Sequence, residues 1–132
     1  MPYQAVKRGT LLIPSGPVIY PDQLHLHVIL TDSCENNRHL LVNISTIRDG
    51  AFYDPTCVVE PGEHSSVTKR SWVVYRRAVT LHADYIKNCV DGWSFKPKEE
   101  VPEGLFARIC DGVGASSFTP RDMKRYFVAN NS

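Results

Sequence analysis

The sequence predicts a mainly β fold with C-terminal helices, an α+β chain. A small SH3-like antiparallel barrel or bent sheet over about residues 8–79 precedes a helical appendage over about 80–132. Two observations carry this. Before Leu81 the chain is made of short runs of β-branched and aromatic residues, each closed by Gly, Pro or a small polar cluster. After Leu81 the apolar residues recur at helical spacing instead. The length of 132 residues fits one domain that buries about two-thirds of its unfolded surface, and no internal repeat, low-complexity segment or linker divides it.

The elements follow in order. GlyThrLeuLeuIle (9–13) reads as a short strand, and the Pro- and Gly-rich stretch 14–22 as an extended loop. Leu24 to Thr31 is the best central strand; the turn-rich residues 32–38 join it to a partner strand, His39 to Ile47. Residues 48–55 break the pattern, 56–60 resume it, and 71–79 form a fifth strand rich in Val, Trp and Tyr. Tyr85, Ile86, Cys89 and Val90 make one face of a helix over 83–91 with Gly92 as its cap. A second stripe, Val101, Leu105, Ile109 and either Cys110 or Val113, predicts a helix over 102–112 ended by Gly112 and Gly114. ThrProArgAsp (119–122) predicts a third helix over 120–127 with Thr119 as N-cap, Pro120 at the first position and Asp122 supporting the first turn.

Composition narrows the function classes. A formal net charge of +1 gives no global field for nucleic acid or anionic membrane, so any such binding rests on a local patch. No apolar run approaches the ~20 residues of a membrane helix, and the N-terminus lacks the apolar core of a signal peptide, so a soluble, cytoplasmic protein is expected. Cys34, Cys57, Cys89 and Cys110 are irregularly spaced with no CxxC pair, which predicts four free thiols and no zinc ribbon. No cofactor is expected.

The chemistry-bearing residues cluster at strand ends. A polar group in or beside a buried strand costs free energy unless it is paired or used, so the runs 24–31, 42–46 and 60–71 together suggest one site. His25 and His27 also share a strand face, as an HxH metal pair does, with His64 or His39 as a third ligand; against this, no carboxylate follows at short spacing. His64 sits in a turn-rich, hydroxyl-rich, basic segment suited to holding an anion, though an imidazole bonded to the loop backbone accounts for the same residues. Ser45 and Thr46 equally suit strand-end hydroxyls bonded locally. Lys69, Arg70, Trp72 and Arg76 combine positive charge with aromatic rings, the mixture that binds single-stranded RNA; strict alternation puts Arg76 and Arg77 on opposite faces.

The strands beginning GlyThrLeuLeuIle, LeuHisValIleLeuThr, LeuLeuValAsnIleSerThr and ThrCysValValGluProGlyGluHis, followed by SerTrpValValTyr, resemble in order and spacing the PemK/MazF-like family. These are small SH3-like barrels, known as ribonuclease toxins of toxin–antitoxin pairs and as proteins of bacterial mobile elements. The resemblance spans about residues 8–79. It implies RNA binding or cleavage, a homodimer, and an antitoxin-like protein partner. The family's strand-2 arginine falls on His25 and its strand-3 hydroxyl on Ser45 or Thr46, which with His64 make the candidate catalytic set. His25 lacks the bidentate phosphate clamp of arginine but can act as general acid or base. The family's Gly-Asp pair at the first strand is Gly9-Thr10 here. A noncatalytic module holding a protein or small ligand is the alternative.

Overall fold

The computed structural model describes residues 3–14 and 24–131 and shows a six-stranded antiparallel sheet curled into a half-barrel, with three helices. The strands are β1 (Thr10–Pro14), β2 (Leu24–Ile29), β3 (Arg38–Thr46), β4 (Val58–Val59), β5 (Ser71–His82) and β6 (Lys96–Lys98), in spatial order β4-β5-β3-β2-β1-β6. The helices are α1 (Ala83–Asp91), α2 (Glu103–Ala115) and α3 (Arg121–Asn130). The mainly β fold with C-terminal helices is thus present, in its open, bent-sheet form. The extended loop expected over 14–22 lies, apart from Pro14, outside the described residues.

Alternation sorts the strands into two apolar faces. Leu26, Val28, Leu40, Val42, Ile44, Val73 and Tyr75 point to one face, where Leu105, Ile109 and Val113 of α2 cover them. Leu11, Ile29 and Leu41 point the other way and meet Ile86 of α1 and Phe95. Fully burying such side chains stabilises by about 1.5–3 kcal/mol each, so the two faces lock the helices to the sheet. The apolar stripe of α2 therefore ends in Val113, which is buried, and Cys110 lies at its margin.

β5 is longer than the expected strand and irregular. Between the pairs Asn43↔Val74 and Leu41↔Val79, two steps along β3 match five along β5. Extra residues in one strand bend it and increase its twist, which curls the sheet at this point. Arg76 and Arg77 fall inside the irregularity and are both exposed.

Two helix expectations are corrected and one holds. α2 does not stop at residue 112; it runs on to Ala115, and Gly112 sits inside it because a side chain there would collide with the Tyr75 hydroxyl. That hydroxyl donates to the Ile109 carbonyl at 2.7 Å, tying β5 to α2. Thr119 is not an N-cap. α3 starts from Pro120, whose carbonyl accepts from the Met123 and Lys124 amides, while the Thr119 hydroxyl is buried without a hydrogen-bond partner among the described residues. Gly92 does cap α1, its amide bonding the Asn88 carbonyl, but the left-handed residue is Trp93 at φ 67°.

β6 was not expected, since LysProLys carries no alternating apolar pattern. It pairs with β1 from Thr10↔Lys98 to Leu12↔Lys96 and is exposed throughout. Lys and Pro on a short edge strand discourage pairing with other chains. All four cysteines are free thiols, Cys57 buried and the others partly so. Among the described residues no helix is long and apolar enough to cross a membrane.

Candidate functional site

At one end of the sheet β1 finishes, β2 begins, β3 finishes and β5 begins, as the pairs Pro14↔Leu24 and Thr46↔Ser71 show. Segment 66–69 closes over this end, leaving a hollow of about 260 Å³. Its floor is apolar: Leu12, Leu26 and Ile44 are register neighbours across three strands, with Leu24 and Val67 beside them. Its rim is hydroxyl-rich, with Ser45 and Thr46 from β3, Ser66 and Thr68 from the closing segment, and Ser71 from β5. Its ionisable groups are His25, Arg48 and Lys69, and among the described residues no Asp or Glu lines it.

His25 is half-buried at this rim and also lines an adjoining small hollow with His27, Asn43 and Arg77. Its pKa is lowered first by burial, then by the Arg77 and Arg48 charges, against a backbone hydrogen bond at Ile44 that raises it. An unperturbed imidazole titrates near 6.5, so a lowered one is unprotonated at neutral pH and able to accept a proton. Neither Arg48, Lys69 nor Arg77 makes an ion pair among the described residues. Two cations, hydroxyl donors and no carboxylate form a site for an anion, and the adjacent imidazole adds a base.

The structure thus brings together four of the residues singled out from sequence, His25, Ser45, Thr46 and Lys69, and leaves the others apart. His64 does not line the hollow. Its ring is fully enclosed; Nδ1 accepts from the Ser66 amide at 3.0 Å, which fixes the Nε2–H tautomer, and Nε2 donates to the Glu99 carbonyl at 2.8 Å. The same carbonyl accepts from the Thr10 hydroxyl at 2.8 Å, so His64 and Thr10 together anchor the chain after β6. Both ring nitrogens being used, His64 has none left for a substrate, and the four-residue catalytic set reduces to three residues that share a site.

The basic and aromatic set divides too. Arg70 turns to Glu60 at 3.2 Å. Trp72 is only 7% exposed, packed against Phe52 and Tyr53, so its ring is not open for stacking. Arg76 lies 5.9 Å over that ring. Trp72 and Asn43 belong to the same face of the sheet by register, so Arg76 on Trp72 and Arg77 beside Asn43 lean over one face. The register shift in β5 overturns the expectation that they point oppositely.

Sequence reading missed Arg48 and Phe52, and it set Arg77 on the face away from Arg76. Arg48 lies two residues beyond Thr46, and extending the strand-end rule by those two residues finds it. Arg77 has no such signal, because its direction depends on how β5 pairs with β3. The HxH metal arrangement is not supported by its neighbours. His27 Nδ1 lies 3.0 Å from the His25 carbonyl, and His39 is buried with Nδ1 bonded to the Thr31 carbonyl. A guanidinium beside two imidazoles repels a metal cation, and no group of three or more His, Cys, Asp or Glu among the described residues is placed to hold one. The geometry defines an antiparallel half-barrel with an anion-ready end. Compared with known proteins, the chain matches no family model, no curated protein and no solved structure.

Proposed function

We propose that this is a PemK/MazF-like RNA-binding protein whose hollow takes a backbone phosphate of single-stranded RNA, with His25 as the base for cleavage. The observation that supports it is the meeting of His25, Arg48, Lys69 and the rim hydroxyls over a lining without carboxylates among the described residues. Arg48 takes the anchoring role that the resemblance gives to an arginine at the position of His25. In the reaction the ribose 2′-oxygen attacks the adjacent phosphorus as its proton passes to His25. The 5′-oxygen leaves, taking a proton from water, and a 2′,3′-cyclic phosphate remains. Arg48, Lys69 and donors such as Ser45 and Thr46 neutralise the charge that builds on the phosphorane. The homodimer and the antitoxin-like partner belong to the same reading.

Fluorescence anisotropy with a short single-stranded RNA at several salt concentrations tests it. Each bound phosphate contributes a slope of about −0.7 in log K against log salt for single strands. Arg48→Ala and Lys69→Ala should each flatten that slope by about one such unit and weaken binding alike for every sequence. Unchanged slopes in both variants would remove the hollow from consideration. One observation favours a noncatalytic version of this reading: with His64 withdrawn, the hollow holds a single imidazole among the described residues. Wild-type protein that binds the RNA and leaves it intact selects that version.

A further inference from the structure

Beside the hollow stands an aromatic cluster that the phosphate site does not use. Phe52 is 60% exposed and Phe118 44% exposed, and their ring centroids are 5.3 Å apart. Phe52 also meets buried Trp72 edge-on at 6.3 Å, with Tyr53 on the same indole. Open aromatic side chains of this size normally bury themselves in the core; here they are held outward by a buried polar link. Asp54 is 3% exposed; it accepts from the Ser116 hydroxyl at 2.6 Å and from the Thr56 amide at 3.0 Å. The Phe118 amide in turn donates to the Ser116 hydroxyl at 3.1 Å. Burial pushes the Asp54 carboxyl up, but the bonds from Ser116 and Thr56 outweigh it and leave it below the usual carboxylate range, so it stays charged and bonded. The link ties Asp54 and Thr56 to Ser116 and the Phe118 backbone, beside the two phenylalanines in the chain.

The cluster is continuous with the hollow along two stretches of chain. Arg48, on the rim, opens a tight turn closed by the Ala51 amide on the Arg48 carbonyl at 3.1 Å, with Gly50 at φ 75°, and Phe52 follows at once. Ser71, also on the rim, precedes Trp72. The charge matches: Arg76 lies over the Trp72 ring, Arg48 stands four residues before Phe52 in the chain, and Asp49 is the one acidic residue from Ser45 to Tyr53.

We propose that Phe52, backed by Phe118 and Trp72, is a stacking platform for a base of the strand whose phosphate occupies the hollow. The inference rests on the phosphate reading above. Stacking on an aromatic side chain tolerates any base, so this subsite adds affinity without sequence preference. Asp54 acts as a positioning residue for it, through Ser116.

The experiment compares two short 2′-O-methyl oligomers of equal charge, an oligoadenylate and its abasic counterpart; neither has the 2′-hydroxyl that cleavage needs. Wild-type protein should bind the oligoadenylate about 10-fold more tightly than the abasic strand. Phe52→Ala should bring the two within about 2-fold without weakening the abasic strand, Phe52→Leu should do the same, and Phe52→Trp should restore the preference. Circular dichroism confirms that each variant folds. Equal wild-type affinity for both oligomers overturns this inference alone; failure to bind either overturns the phosphate reading with it. A Phe52→Ala variant that changes the oligomeric state while the base preference persists assigns the face to a second copy of the chain, and the inference falls.

Discussion

His25 and His64 sit in neighbourhoods of like composition, each an imidazole among hydroxyls with basic residues close by in sequence, and the fold treats them oppositely. His64 is enclosed, with one nitrogen accepting from Ser66 and the other donating to Glu99. His25 stands at an open rim near Arg48, Lys69 and Arg77, which make no ion pair among the described residues. The basic groups repeat the contrast. Near His64, Arg108 forks onto Glu63 and the Val58 carbonyl and Arg70 pairs with Glu60, whereas the rim cations meet no carboxylate among the described residues. A polar cluster beside a strand is therefore either consumed by the fold or left for a ligand, and the saturation of its partners tells which.

The sharpest way to break the comparison is to delete each imidazole. His25→Ala should lower cleavage of a single-stranded RNA by on the order of 100- to 10,000-fold, the usual loss with a general base, and shift stability by less than about 1 kcal/mol. His64→Ala should do the reverse. It leaves the Ser66 amide without its acceptor and a void where the ring stood, at about 3 kcal/mol, read as a lower urea midpoint with binding retained in the folded fraction. Equal effects of the two variants on both assays would end the distinction.

A gentler probe sharpens the electrostatics of the rim. Burial lowers the His25 pKa first, and the Arg77 and Arg48 charges lower it further. Arg77→Gln should therefore raise it toward 6.5 without reaching that value, because the burial remains. The acid limb of cleavage should move up in pH with it. The sign for stability is the same: a histidine whose folded pKa lies below the unfolded one binds its proton more readily when unfolded. Stability is lost as pH falls below about 6.5, and Arg77→Gln should soften that loss. Titration of the His25 ring protons by NMR decides the matter, and an unmoved midpoint would show that the guanidinium does not act on the ring.

The same contrast marks how far the sequence carries. Apolar alternation found β1, β2, β3 and β5 because each buries register partners such as Leu26, Ile44 and Val73, and strand-end logic found His25, Ser45, Thr46 and Lys69 at one end of the sheet. What it missed depends on pairing at a distance. The carbonyl that consumes His64 belongs to Glu99, 35 residues away, and no local pattern announces it. Arg77 points to the rim because β5 slips against β3, a property of two strands together. Gly112 reads as a helix stop until the Tyr75 hydroxyl is seen where its side chain would be. β6 forms from LysProLys only because β1 offers it an edge.

Thr119 completes the comparison as a third kind of polar residue, buried yet neither consumed nor open to a ligand. At 6% exposure its hydroxyl has no hydrogen-bond partner among the described residues, because α3 begins one residue later than ThrProArgAsp suggests and Pro120 takes the cap position. A capping threonine costs about 1 kcal/mol when replaced by an apolar residue, whereas a buried hydroxyl without a partner already carries a desolvation cost of about 1–3 kcal/mol. Valine keeps the shape of threonine and removes the oxygen. Thr119→Val should therefore leave stability unchanged or raise it by up to about 1 kcal/mol, the smallest of these effects and opposite in sign to the loss of a cap. A urea midpoint that falls in Thr119→Val would show that the hydroxyl is paired after all and that α3 begins where the sequence motif places it.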